Sequence, residues 1–188
     1  MLVAASSAWP QEPKHPTTMP LPPGGQAWRI EKIADVPTPL KSAVDRARCE
    51  LDEFILHEIP IQIFRSGRGA IALVTCHAII WYGRAFLFER DHGIEPKPIL
   101  FPTLVSPSGV GITDRPGVLN WDTGTKTLTA TQGNDVGGGD EFRYTYRYGG
   151  GPGLFTLIRV ETRKCCFATL DEAWTPVWDA PAWPPPRR

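Results

Sequence analysis

No run of eighteen apolar residues occurs in this sequence, so none of its segments reads as a membrane-spanning helix. Surplus charge of one sign is missing as well: Lys plus Arg and Asp plus Glu both number 20. That balance removes the broad electrostatic reason to bind nucleic acid or an anionic membrane and leaves only local patches to consider. Cysteine is scarce, at four residues, and neither Cys-x-x-Cys nor His-x-x-x-His spacing is present, so the usual signatures of a zinc site are absent. The glycine-rich stretch Gly149-Gly150-Gly151-Pro152-Gly153 lacks the Lys-Ser/Thr of a phosphate loop, and no helical pattern follows it. No Ser/His/Asp grouping, paired carboxylates or nucleotide fingerprint stands out, so the sequence names no reaction.

What is abundant is proline, 20 residues clustered toward both ends, and glycine, 18 residues that punctuate the middle. A chain of 188 residues fits one domain, able to bury about 70% of its unfolded surface. Residues 1–25 form a Pro/Ser/Thr-rich arm without amphipathic period, which reads as disordered. The same arm also reads as the remnant of an export signal, with an apolar start at residues 2–5 and Ser6-Ser7-Ala8 as the cleavage site. No Lys or Arg precedes that short apolar run, as expected of a gene start placed too far downstream. Residues 26–179 are expected to be a single β-rich domain, and residues 180–188, ending Trp183-Pro184-Pro185-Pro186, a Pro-rich tail.

The strongest strand signal lies at residues 141–148. Phe142, Tyr144, Tyr146 and Tyr148 alternate with Arg143, Thr145 and Arg147, the period-two pattern of a half-buried strand. Gly149 to Gly153 reverse the chain, and residues 154–161 make the antiparallel partner. Upstream, residues 118–121 and 127–131 flank Asp122-Thr123-Gly124-Thr125, an Asp/Gly turn that makes a second hairpin. Four strands in succession predict a β-meander.

Elsewhere, Trp28 and Ile30 mark a short strand, residues 59–64 alternate, and residues 70–76 are continuously apolar, as in a central strand. Residues 65–69 read as the turn between them. Residues 79–89 predict another strand, with a bulge at Gly83. Residues 91–98 read as a loop, residues 99–105 as a strand kept to an edge by Pro102, and residues 106–117 as a loop. Leu170 to Ala173 suit one helical turn. One helix is expected from residue 38, with Thr38 as cap, Pro39 in the first turn, and Leu40, Ala43, Val44, Ala47 and Leu51 at helical spacing. On a continued helix Cys49 would lie about 180° from that apolar stripe, so either the helix ends near Ala47 or Cys49 faces away from the core. The expected fold is mainly β, an antiparallel sheet or meander of sandwich or barrel type, six to eight strands with one short capping helix.

Several of these features together resemble an uncharacterised bacterial family catalogued as domain of unknown function eleven-seventy-six. They are Ala47-Arg48-Cys49 at a helix end, an apolar strand closing on Cys76, Asp122-x-x-Thr125-x-Thr127-Leu128, a Gly/Asp loop over residues 133–140, the aromatic strand, the Cys165-Cys166 site, and Trp174-x-Pro176-x-Trp178. The similarity spans residues 34–179, the C-terminal half of a typical member. The loop cysteine of the family is missing between Gly133 and Asp140, and Ala78-Ile79-Ile80-Trp81 stands where the family carries Ala-Tyr-Asn. The resemblance implies export to the periplasm and a disulfide between Cys49 and Cys76. It implies no activity. Four cysteines allow three pairings, so other partners stay open at this point.

The remaining candidates follow from residue type. Cys76, His77, Cys165 and Cys166 form a conceivable Cys/His metal cluster, and Cys165-Cys166 a vicinal pair, though strand neighbours face apart. Gly133 to Glu141 mix carboxylates and glycines as a calcium loop would, yet only one copy is present. Arg143, Thr145 and Arg147 make a polar strand face suited to an anionic or sugar ligand, with Trp81, Trp121, Trp174 or Trp178 available for stacking. The reading that results is an exported envelope protein, without cofactor or metal, whose sheet displays a binding or structural surface to an envelope protein or glycan. An enzyme such as a small envelope hydrolase would require His57, His77 or His92 to meet Asp135, Asp140 or a cysteine, and a calcium-dependent module would require the 133–141 loop.

Overall fold

The computed structural model describes residues 19, 22–23, 26–67, 69–76, 82–89, 96–105, 109–133, 140–149, 155–164 and 173–181. Two five-stranded antiparallel meanders carry the fold. The first runs in spatial order β1 (Ala27–Ile30), β2 (Ile61–Ser66), β3 (Gly69–Cys76), β4 (Tyr82–Glu89) and β5 (Lys97–Pro98). A two-stranded ribbon, β6 (Phe101–Val105) and β7 (Gly109–Thr113), follows. The second meander is β8 (Val118–Asp122), β9 (Thr127–Gln132), β10 (Asp140–Tyr148), β11 (Phe155–Lys164) and β12 (Thr175–Asp179), again with sequence neighbours paired. This is the sandwich form of the expected mainly β fold.

Every residue of β3 is buried, and the layering explains why its sequence is continuously apolar. Ala70, Ala72, Val74 and Cys76 face a helical layer in one core, with Leu40, Ala43, Val44 and Leu56. Ile71 and Leu73 face the second sheet in another core, with Trp121, Leu128, Tyr144 and Tyr146. Each large apolar side chain so buried contributes about 1.5–3 kcal/mol. Trp121 stacks on Phe64 at 4.2 Å between ring centroids, and Tyr148 donates its hydroxyl to Ser66 Oγ at 2.6 Å, which locks β10 to β2.

The helical layer departs from expectation in two respects and decides between the alternatives at Cys49 in favour of a helix that ends near Ala47. Two α-helices are present among the described residues, α1 (Thr38–Arg46) and α2 (Glu53–Glu58), besides a 3₁₀ turn at Ile33–Asp35. α2 is too short to show a helical period and is started instead by Asp52, whose Oδ1 accepts from the N–H of Phe54 and Ile55. Thr38 is not the cap: Pro37 holds that position, without a side-chain bond, and Thr38 is the first helical residue. The orientation of Cys49 is settled by a reversal. α1 ends at Arg46, Arg48 takes a left-handed φ of 52°, and the N–H groups of Arg48 and Cys49 return to the carbonyls of Asp45 and Val44. That is a Schellman ending built without glycine. It swings Cys49 into the core, where it is bonded to Cys76 with Cα atoms 5.0 Å apart.

Other boundaries also shift. Only residues 67–68 separate β2 from β3, residues 109–113 are strand rather than loop, and the described strands number twelve rather than six to eight. No bulge occurs at Gly83, whose pairing with Thr75 lies in unbroken register. The glycine serves a close approach instead, donating its N–H to Gly117 O at 2.7 Å where the two sheets meet. Residues 77–81, 90–95, 150–154, 165–172 and 182–188 lie outside the described residues, and with them parts of the expected 79–89 strand, 91–98 loop, 149–153 loop and 170–173 turn.

β8 is an edge strand, and its exposed ladder is answered from the other sheet. Gln62 on β2 accepts the N–H of Trp121 through Oε1 at 2.9 Å. Replacing Gln62 by leucine is expected to cost about 1–3 kcal/mol, because a part-buried backbone donor then loses its partner. Urea denaturation checks this, and an unchanged midpoint would show that the edge does not depend on the glutamine. At the opposite edge, Pro176 and a register shift at Val160/Glu161 blunt β12 against further pairing.

Tyr146 is fully buried and donates its hydroxyl to Pro102 O at 3.0 Å, tying β10 to β6. Burial, and secondly the neighbouring Tyr144, push its phenol well above the ordinary range. A raised folded-state value means that its contribution is fully present below about pH 10, where an unfolded phenol begins to ionise, and is lost as pH rises further. Urea midpoints measured against pH should therefore be flat to about pH 10 and fall above it. Tyr146→Phe should be about 1 kcal/mol less stable near neutrality and show a shallower alkaline fall; an equal fall would rule out this residue as its source.

Candidate functional site

Strand alternation places Arg143, Thr145 and Arg147 together on the solvent face of the second sheet, opposite the core face carried by Tyr144 and Tyr146. All three line one cavity of about 550 Å³. Its walls are completed by neighbours that antiparallel register brings alongside: Thr129 of β9 beside Thr145, and Thr156 of β11 beside Arg147. Glu161 stands opposite Arg143, and Arg159 opposite Thr145.

The register slips between Thr145 and Tyr146: Thr145 pairs with Arg159 but Tyr146 with Leu157, leaving Ile158 as the extra residue. This bulge breaks the inside–outside alternation of β11 and sets a half-buried isoleucine in the cavity lining next to Arg159. Ala180 N–H donates to Ile158 O at 2.8 Å, and Ala180 and Pro181 form the rim.

The electrostatics of this face follow a ladder. Arg143 donates Nε to Glu161 at 2.8 Å, Arg163 to Glu141, and Arg159 to Asp179 at 2.6 Å. The hydrogen bond from Arg159 to Asp179 raises the pKa of that guanidinium further. Glu161 is 8% exposed, so its charge relies on Arg143, whereas the Arg159–Asp179 pair is open to water and contributes little stability. Trp174 packs against two guanidiniums, with Arg143 and Arg163 at 4.4 and 4.5 Å from its ring centroid. Arg147 differs: its cross-strand neighbours are Thr127 and Thr156, and it has no ion pair or hydrogen bond among the described residues.

The other sequence candidates separate. Of the four tryptophans considered for stacking, Trp121 is in the core and Trp178 is partly buried against that core from β12, so only Trp174 lies by the arginine ladder; Trp81 is outside the described residues. The thiol of Cys76 is committed to Cys49, which removes it from the conceivable Cys/His cluster. Cys165, Cys166, His77 and His92 are outside the described residues, as is 134–139 of the calcium-loop candidate. His57 is exposed on α2, in the helical layer, and Asp140 is exposed at the start of β10. Arg159, Glu161 and Asp179 escaped the sequence reading because cross-strand register brings them in; the only available signal was the broken alternation at Ile158-Arg159.

Comparison of the chain with family models, with curated proteins and with solved structures finds no match.

Proposed function

We propose that this protein is an exported component of the cell envelope, periplasmic or secreted, with a non-catalytic binding or structural role, and that the outer face of β9–β12 is its contact surface for an envelope protein or glycan. The observation that carries the reading is the cavity on that face, which gathers guanidinium and hydroxyl groups from β9, β10 and β11 and a carboxylate from β12. The Cys49–Cys76 bridge supports an oxidising compartment, and no described helix is long and apolar enough to cross a membrane. The kinship with the family eleven-seventy-six belongs to the same proposal, and it would bring the periplasm with it.

Retention of the purified protein on sedimented envelope material tests this reading. The native chain is expected to co-sediment, and Thr145→Tyr, which fills the cavity from an outer-face position, is expected to stay in the supernatant. Equal retention of both would remove the outer face from consideration. Mass spectrometry of the same material before and after incubation should show no new species; a product would replace the binding reading with an enzymatic one.

A further inference from the structure

The ladder of charges on the outer face is one carboxylate short. Arg143, Arg159 and Arg163 each meet an Asp or Glu from a neighbouring strand, while Arg147, lining the same cavity, has threonines as cross-strand neighbours and no carboxylate partner among the described residues. Resting on the proposed binding role of this face, we infer that the cavity takes an acidic sugar, a uronic acid unit of a glycan, whose carboxylate completes the ladder on Arg147.

Three properties of the cavity select that ligand. Guanidinium forks match a planar carboxylate with two parallel hydrogen bonds. A dianionic phosphate matches the same fork, but Glu161 and Asp179 share the cavity, and their repulsion weighs more on a double charge than on a single one. The backbone of β9, β10 and β11 is hydrogen-bonded on both sides, so only side chains are available to a ligand lying across them. That disfavours an extended peptide, which is held through backbone amides at a free edge. Thr145 and Thr156 supply hydroxyls that both donate and accept, as ring hydroxyls of a sugar require, Thr129, whose own hydroxyl donates to Asn120 O, adds an acceptor, and half-buried Ile158 offers an apolar patch to its C–H face. Strand geometry separates Arg143 from Arg147 by about 13 Å, a span for a short oligosaccharide rather than one ring.

The test is titration of the full chain with trigalacturonate, neutral trigalactose and triglutamate, read by amide chemical shifts and calorimetry. Trigalacturonate should shift amides at 129, 145, 147 and 156 and bind more weakly as salt rises. Arg147→Ala should weaken it about tenfold or more at unchanged melting temperature, since that side chain is exposed and has no ion pair or hydrogen bond among the described residues. Equal binding of trigalactose, or no effect of Arg147→Ala, would overturn the role of the carboxylate while leaving a glycan surface in place. Tighter binding of triglutamate would overturn the sugar class and leave an anion-binding face. If no probe shifts this face, the inference fails, and the sedimentation experiment with Thr145→Tyr decides separately whether the binding role fails with it.

Discussion

Cys49→Ala/Cys76→Ala is expected to lower the stability by about 3–4 kcal/mol, the chain-entropy value for a loop of 27 residues. For a domain of this size that corresponds to about 10 °C in melting temperature. The position of the bridge supports the full effect. Cys49 and Cys76 are 4% and 0% exposed, and they join the end of α1 to the innermost strand, so removing them also withdraws packing atoms between the helical layer and the first sheet. The same shift should appear when the native protein is unfolded with reductant present. Equal melting temperatures with and without reductant, for native chain and double variant alike, would show that the bridge does not form in solution, and with it would go the main support for an oxidising compartment.

Gly83→Ala should be as damaging as a core truncation although it adds a single methyl group. An added Cβ would collide with the carbonyl oxygen of Gly117 and stand 2.6 Å from Leu119 Cγ. The obstruction is backbone against backbone, so no rotamer change relieves it. The sheets must separate at this corner, breaking the bond from Gly83 N–H to Gly117 O. Overpacking of about 1–3 kcal/mol plus about 1 kcal/mol for the bond gives a loss of about 3 kcal/mol, measurable by urea denaturation. A loss below about 0.5 kcal/mol, the range of surface substitutions, would mean that the two sheets can part at no cost there. Ligand binding on the outer face of β10 should survive in either variant at a temperature where it is folded, since neither site touches that face.

How far local sequence reaches is visible in the contrast between the two meanders. β8 to β11 were legible to within a few residues, because β8, β9 and β10 alternate between core and water, because β11 does so up to its bulge, and because Asp122 marks its turn by accepting from Gly124 and Thr125. The bonds from Thr125 and those two N–H groups hold that carboxyl below its usual range, so the turn keeps its acceptor charged down to acidic pH. The helical layer was harder. α2 has six residues and no period to display, and the ending of α1 uses Arg48 where glycine would have announced it. β7 carries two glycines and exposes Val110 and Ile112, so its composition reads as loop until β6 is seen beside it.

Residue types and their alternation by themselves determined the mainly β character, the meander, the central place of 70–76, and the sharing of one face by Arg143, Thr145 and Arg147. Those are consequences of patterns read along the chain: a period of two in the outer strands, an unbroken apolar run at 70–76, and turn residues between successive strands. The tertiary structure alone decided that this face is a cavity, that Arg159, Glu161 and Asp179 belong to it, and that Arg147 is the cavity arginine without a carboxylate among the described residues. Those depend on register between neighbouring strands and on a one-residue bulge at Ile158. Register is set by the fit of two cores on opposite sides of β3, a property of the folded whole that no single segment carries.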